Sequence, residues 1–266
     1  MWRRARTLDR VPGWSRPKLL ALLMAGSVGI VALVVGLGLA VYYSVVANDR
    51  AERSETGAVG GSANEGRADV ADQLLPRVDE SAARPGTLTT EPFEAISMPA
   101  PTRLGPVGVS TGFPRTTEGA LAQLAAIDQA VLQSASVPHA QEVIGSWAVP
   151  GGPSPESWSG VRAVAELLTA ARLPATGAPE LTVSATPEMG LVRGTVTSDD
   201  LVACVDFVVS ATMTTTARIA AADCQRMVWE GGRWMIGAGP EPAPAPSVWP
   251  GTEAALLAGY RMLRDE

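Results

Sequence analysis

Apolar residues change their rhythm from segment to segment along this chain, and each rhythm predicts a different structure. From Leu19 to Asn48 they run for 30 positions without a charge. A helix of roughly 20 apolar residues crosses the hydrocarbon core of a bilayer, so LLALLMAGSVGIVALVVGLGLAVYYSVV predicts a transmembrane helix over residues 19–46. A cleaved signal peptide has an apolar region of roughly 7–15 residues and a small-residue cleavage site. Here the run is longer, and the candidate site, Val45-Val46-Ala47, lies at its far end. Tyr42 and Tyr43 at one end and Trp14 before the other suit the aromatic belts of the two interfaces.

The rhythm then disappears. Residues 47–111 are rich in Ala, Gly, Glu, Arg, Ser and Pro. So little apolar side chain cannot offset the entropy of ordering the chain, which predicts a mostly disordered extracytoplasmic linker. A short helix is allowed around Val70–Val78, and Phe93–Leu104 is expected to pack on the following domain as an extended arm.

Order is expected to begin at Gly112-Phe113-Pro114. Thr116 or Thr117 can cap a helix with Glu118 in its first turn. Leu121, Leu124, Ala125, Ile127, Val131 and Leu132 recur at three and four, which predicts one buried stripe. A second helix follows Pro138 through Val143, Ile144 and Trp147 and is broken at Gly151-Gly152-Pro153. A third, SPESWSGVRAVAELLTAARL, takes Ser154 or Ser157 as cap and stops before Pro174 and Gly177.

Beyond Leu181 the period becomes that of strands. LTVSATP, LVRGTVTS, LVACVDFVVSATM, TTARIAAADCQRMVW and RWMIG are β-branched and partly alternating, with a tight turn at Glu230-Gly231-Gly232. Proline at 240, 242, 244 and 246 forbids helix and removes ladder donors, so this segment must be extended. Thr252 and Glu253 are expected to open a last helix, AALLAGYRML. Helices followed by an antiparallel meander define an α+β domain over residues 112–266.

Charge adds orientation. Arg3, Arg4, Arg6, Arg10, Arg16 and Lys18 face only Asp9 in residues 1–18, so this segment sums to +5 while the whole chain carries −6. Basic flanks stay cytoplasmic, which puts the N-terminus inside and the C-terminal domain outside a cell membrane as a single-pass protein. The lipid bilayer is thus one expected partner, through residues 19–46. The remainder sums to −11, which argues against direct binding of nucleic acid, since phosphate contacts need clustered Lys and Arg.

Candidate chemistry is sparse. In an oxidising compartment two cysteines are more often a bridge than a metal or redox site. A hairpin turning near Thr214 sets Cys204 opposite Cys224, close enough for a disulfide. The chain-entropy model assigns such a bridge about 3 kcal/mol. Asp206 interrupts CVDFVV on the face of Cys204 and Val208. Burial raises a carboxyl pKa, as an acid–base catalyst in an apolar cavity requires; the competing reading is a structural carboxylate bonded to a neighbouring segment. His139 is the single histidine, which excludes His-rich zinc sites and leaves little for a Ser-His-Asp triad. The Gly-Gly pairs precede no Gly-Lys-Ser/Thr, so no phosphate loop is expected. No catalytic residue, metal site or cofactor is assigned. Trp147, Trp158, Trp229, Trp234 and Trp249 read as core and rim aromatics, with a cross-strand contact between Trp229 and Trp234.

The runs CVDFVV, ARIAAADCQRMVWEGGRWMIG and PAPSVWPGTEAALLAGYR, together with the opening GFPRTTEGALAQLAA, resemble small membrane-anchored proteins of actinobacterial integrative and conjugative elements. One Lys beside 20 Arg suits such GC-rich genomes. That group is similar to the cystatin-like, nuclear transport factor two-like cone, which implies three helices on a curved antiparallel sheet. One span followed by such a domain is also the layout of TcpC and of the VirB-type assembly subunit of type IV secretion. TcpC carries two such domains, and the segment 240–250 has no counterpart in the secretion subunits. The resemblance implies a non-enzymatic scaffold of a conjugative transfer apparatus, partnered by other membrane-complex subunits and by copies of itself. Two alternatives stand beside it: an envelope protein associated with a lipid-import complex, and an isomerase- or dehydratase-like enzyme using Asp206 as base.

Overall fold

A computed structural model describes residues 70–196 and 201–266. The transmembrane helix expected over 19–46, the basic tail and the first part of the linker lie outside the described residues. Among the described residues no helix is long and apolar enough to cross a membrane.

The domain is α+β, with a curled sheet and four helices. Strands β1 (Ala95–Met98), β2 (Arg103–Leu104) and β3 (Ser110–Thr111) precede helices α1 (Thr117–Ser134), α2 (Val137–Trp147) and α3 (Ser159–Ala170). Then come β4 (Thr182–Arg193), β5 (Val202–Thr212), β6 (Thr216–Glu230), β7 (Arg233–Ile236), helix α4 (Glu253–Leu257) and β8 (Arg261–Asp265). The main sheet runs β1-β8-β4-β5-β6-β7, and β2 and β3 form a separate two-stranded ribbon. Among the described strands β1 and β8 pair in parallel and the others antiparallel.

Local chemistry explains the helix starts. Thr116 accepts the Gly119 amide at 3.0 Å, and Ser136 accepts that of His139 at 3.5 Å. Between them Ala135 adopts the left-handed conformation, φ +45°, that ends α1 and lets α2 begin at once. The expected cap of α3 is not used. Trp158 holds that position without a side-chain bond, and Ser154 and Ser157 bond within their own turn.

Strand β5 is buried along almost its whole length, as a central strand covered on both faces must be. Its alternate residues divide between two clusters. Ala203, Val205, Phe207 and Val209 join Leu121, Leu124, Ile127 and Val131 of α1 in the larger core. Val202 and Cys204 join Ala245, Val248, Ala255 and Tyr260 on the opposite side. Helices α1, α2 and α3 therefore cover one face, and an extended strap over residues 240–250 together with α4 covers the other. Gly190 lets α1 approach β4, since a Cβ there would lie 2.6 Å from Leu121.

Three expectations need correction. The linker expected over 47–111 is, in its described part, built into the domain. Ala71, Ile96 and Val109 are buried, and β1 forms an edge of the main sheet, so the domain extends back at least to Val70. Proximity is what a local reading misses, because β1 pairs with β8 across most of the domain's length. Next, LTVSATP and the opening Leu-Val-Arg of LVRGTVTS join in a single strand, β4, which ends at Arg193 and has a register shift between Pro187 and Met189. Proline lacks the ladder donor, and a bulge absorbs the loss. Finally, the terminal helix stops at Leu257. Gly259 takes φ +85°, and Arg261–Asp265 becomes β8.

Candidate functional site

The two cysteines face each other in the β5–β6 ladder. They are bonded, with S–S 2.05 Å and Cα–Cα 4.1 Å. Both lie in the strap-side cluster, so the bridge staples the two central strands under the strap.

Asp206, two residues on, points to that same side. It is 0 % exposed. Its Oδ2 accepts the Val248 amide of the strap at 3.2 Å, while Oδ1 is buried without a partner. Burial holds its carboxyl well above the usual carboxylate range, and the amides of Val248 and Phe207 only partly oppose that. The strap is tied down by further bonds: Tyr260 Oη donates to Pro246 O at 3.0 Å, and Ala222 N to Ser247 Oγ at 3.0 Å. This geometry is that of a structural carboxylate bonded to a neighbouring segment: the residue faces away from α1, α2 and α3, and a strap amide bonds its Oδ2. The helix side carries Trp147, Trp158, Trp234 and Phe207, all buried.

A second polar group, not foreseen from the sequence, sits on the helix side. Asp223 and Gln225 of β6 flank Cys224 and so point the other way. Gln225 Nε2 donates to both Asp223 oxygens, at 3.0 and 3.1 Å. Ser159 Oγ, at the start of α3, lies 3.5 Å from Asp223 Oδ1, and the Ser159 amide donates to Glu241 of the strap at 2.8 Å. Asp128 of α1 is 5 % exposed, and its Oδ2 has no partner. Burial, then the charge of Glu241, lifts the Asp223 carboxyl to about 7 against the bonds from Gln225, Cys224 and Ser159. Asp128 is pushed well above the carboxylate range by burial first and by Asp223 second. Chemically this is a proton-holding cluster. An acid at helix position 128, inside the apolar stripe between Leu124 and Val131, was the available signal for it.

The remaining candidates are structural in their surroundings. His139 lies half-buried in the first turn of α2. Trp229 and Trp234 meet edge to face across the hairpin, with centroids 5.4 Å apart. Trp249 lies under the Arg218 guanidinium at 5.3 Å. Among the described residues no group of three or more His, Cys, Asp or Glu could hold a metal ion.

No protein-family model, curated protein or solved structure matches the chain.

Proposed function

We propose that the chain is a non-enzymatic, membrane-anchored assembly protein of a conjugative transfer apparatus of the type IV secretion kind. Residues 19–46 are its span, residues 1–18 are cytoplasmic, and the domain is extracytoplasmic and belongs to the nuclear transport factor two-like cone class. Its partners are then the bilayer, other subunits of the complex and further copies of itself. The observation that carries this reading is the charge-free run of 30 residues ahead of a domain whose sheet is covered on both faces. Such a domain presents surfaces to other proteins. Three helices over a curled antiparallel sheet favour the cone class, and a bonded cysteine pair favours an oxidising compartment.

The test is deletion of the gene from its host element, followed by mating. Transfer should be lost and should return with the wild-type gene or with Asp206→Asn. Unchanged transfer after deletion would sink the proposal. Co-purification of the tagged protein with a lipid-uptake permease, in place of a transfer ATPase, would move it to lipid import. Failure of Asp206→Asn alone would reopen the enzymatic reading.

A further inference from the structure

A recess of about 360 Å³ opens where the β2–β3 ribbon meets the β6–β7 turn. Arg103, Leu104 and Gly105 line one side, and Glu230, Gly231 and Arg233 the other. The floor is fixed by packing. A Cβ on Gly105 would lie 2.7 Å from Trp147 Cζ2, so only glycine lets the ribbon sit this close to the indole. Trp147 in turn donates to Pro106 O at 3.3 Å.

Arg233 is held in place before any ligand arrives. Its guanidinium lies 4.6 Å over the Trp147 ring. Nε donates to Met235 Sδ at 3.0 Å and Nη2 to Ser146 O at 3.3 Å. A guanidinium has five N–H donors in a fixed fork, so Arg233 keeps donors with no partner among the described residues. Arg103 is exposed, and its guanidinium has no hydrogen-bond or ion-pair partner among the described residues. Two cations thus flank a preformed recess, and Glu230 is the one acid among the described residues that line it. Leu104, beside Arg103, is 73 % exposed, well above an ordinary half-covered surface leucine.

We propose that this recess docks an acidic, apolar-flanked peptide segment of a partner protein, with Arg103 and Arg233 holding its carboxylate and Leu104 its apolar neighbour. Planar guanidinium matches carboxylate geometry, and an arginine already oriented loses little freedom on binding. The surroundings favour a peptide over an anionic membrane surface. Residues 70–266 carry 12 arginines against 21 acids, so the domain as a whole is repelled by an anionic sheet of charge. One carboxylate inserted between two arginines escapes most of that repulsion, because screening at physiological salt confines it to about 8 Å.

The experiment uses the full chain in detergent micelles and fluorescence anisotropy of a labelled, blocked Glu-Leu-Glu-Leu-Glu-Leu peptide. The same peptide with Gln for Glu is the neutral control. The acidic peptide should bind about tenfold more tightly than the control, the ratio expected of one charge-assisted pair. Arg103→Glu, at an exposed position, should abolish that difference. Glu230→Gln should tighten binding by about twofold, as relief of one exposed like charge does. Arg233→Lys, which keeps the charge but not the fork, should give an intermediate loss. Equal binding of the two peptides, or an unaltered preference in Arg103→Glu, overturns the proposal. So does tighter, Arg103-dependent binding of phosphatidylglycerol vesicles or of inorganic phosphate, which would assign the recess to a phosphate-bearing ligand instead.

Discussion

The two faces of the central sheet are sealed by different physics. On the helix side the cover is thick and aromatic: α1, α2 and α3 bury Trp147, Trp158 and Trp234 against β5–β7, and large apolar side chains supply the stability. On the strap side the cover is thin. Ala245, Val248, Ala255 and Tyr260 lie over Val202 and Cys204, and the proline-rich segment has few amides with which to bond. That side compensates with a covalent staple and with side-chain bonds from Asp206, Ser247 and Tyr260. A short cover can be held by a few specific ties where a deep one is held by area.

The largest effect should come from breaking the helix side. Trp158→Ala removes a fully buried indole and leaves a cavity, which costs about 3–5 kcal/mol, read as a lower urea midpoint with an unchanged slope. A loss under about 1 kcal/mol would mean that this face is not the main source of stability.

Next in size is the staple. Cys204→Ala with Cys224→Ala should lose about 3 kcal/mol by the chain-entropy model, and reducing agent should reproduce that loss in the wild type. The strap should then show faster amide exchange at Val248 and Ala222 than the helices do. Uniform loosening of both faces would erase the distinction drawn between them.

The smallest effect is pH dependence, and it links the faces through Glu241. Burial pushes the Asp223 carboxyl up to about 7 in the fold, against 3.8 for an ordinary aspartate. The folded state therefore binds its proton more tightly than the unfolded chain does. The stabilisation is fully present below about pH 4 and is lost as pH rises through about 7. Asp128 and Asp206 shift in the same direction. Stability should fall between pH 5 and pH 8 by on the order of 2 kcal/mol, half the full linkage because Asp223 keeps some contact with solvent. Asp223→Asn should flatten the curve. A rise over that range would contradict the arrangement.

Much of this was readable where the determinants are local. Thr116 before an apolar stripe marked α1, and a turn near Thr214 placed Cys204 against Cys224. The faces were harder to assign. Alternation along β5 put Asp206 with Cys204, but a strand apolar on both sides does not reveal which side α1–α3 cover, so the sequence left open whether the carboxyl was a structural tie or lined a cavity. Residues Arg261–Asp265 have helical spacing and become a strand because Gly259 breaks the helix and β1 waits beside them. That neighbour lies more than 160 positions away in sequence. The Asp128–Asp223 cluster needed the same kind of distant information, since its members come from α1, α3, β6 and the strap.

The parallel pairing of β1 with β8 also has a mechanical meaning. Met262 N donates to Glu94 O at 2.9 Å and Glu266 N to Met98 O at 3.2 Å. Because the strands run the same way, the entry to β1 and the exit from β8 lie at opposite ends of the pair. Tension applied between those two points loads every rung of the ladder together, in shear, and does not peel the rungs apart one at a time. A domain pulled from its N-terminal side against a load gripping its last residues would thus resist as a clasp resists, at the seam where its first and last strands meet.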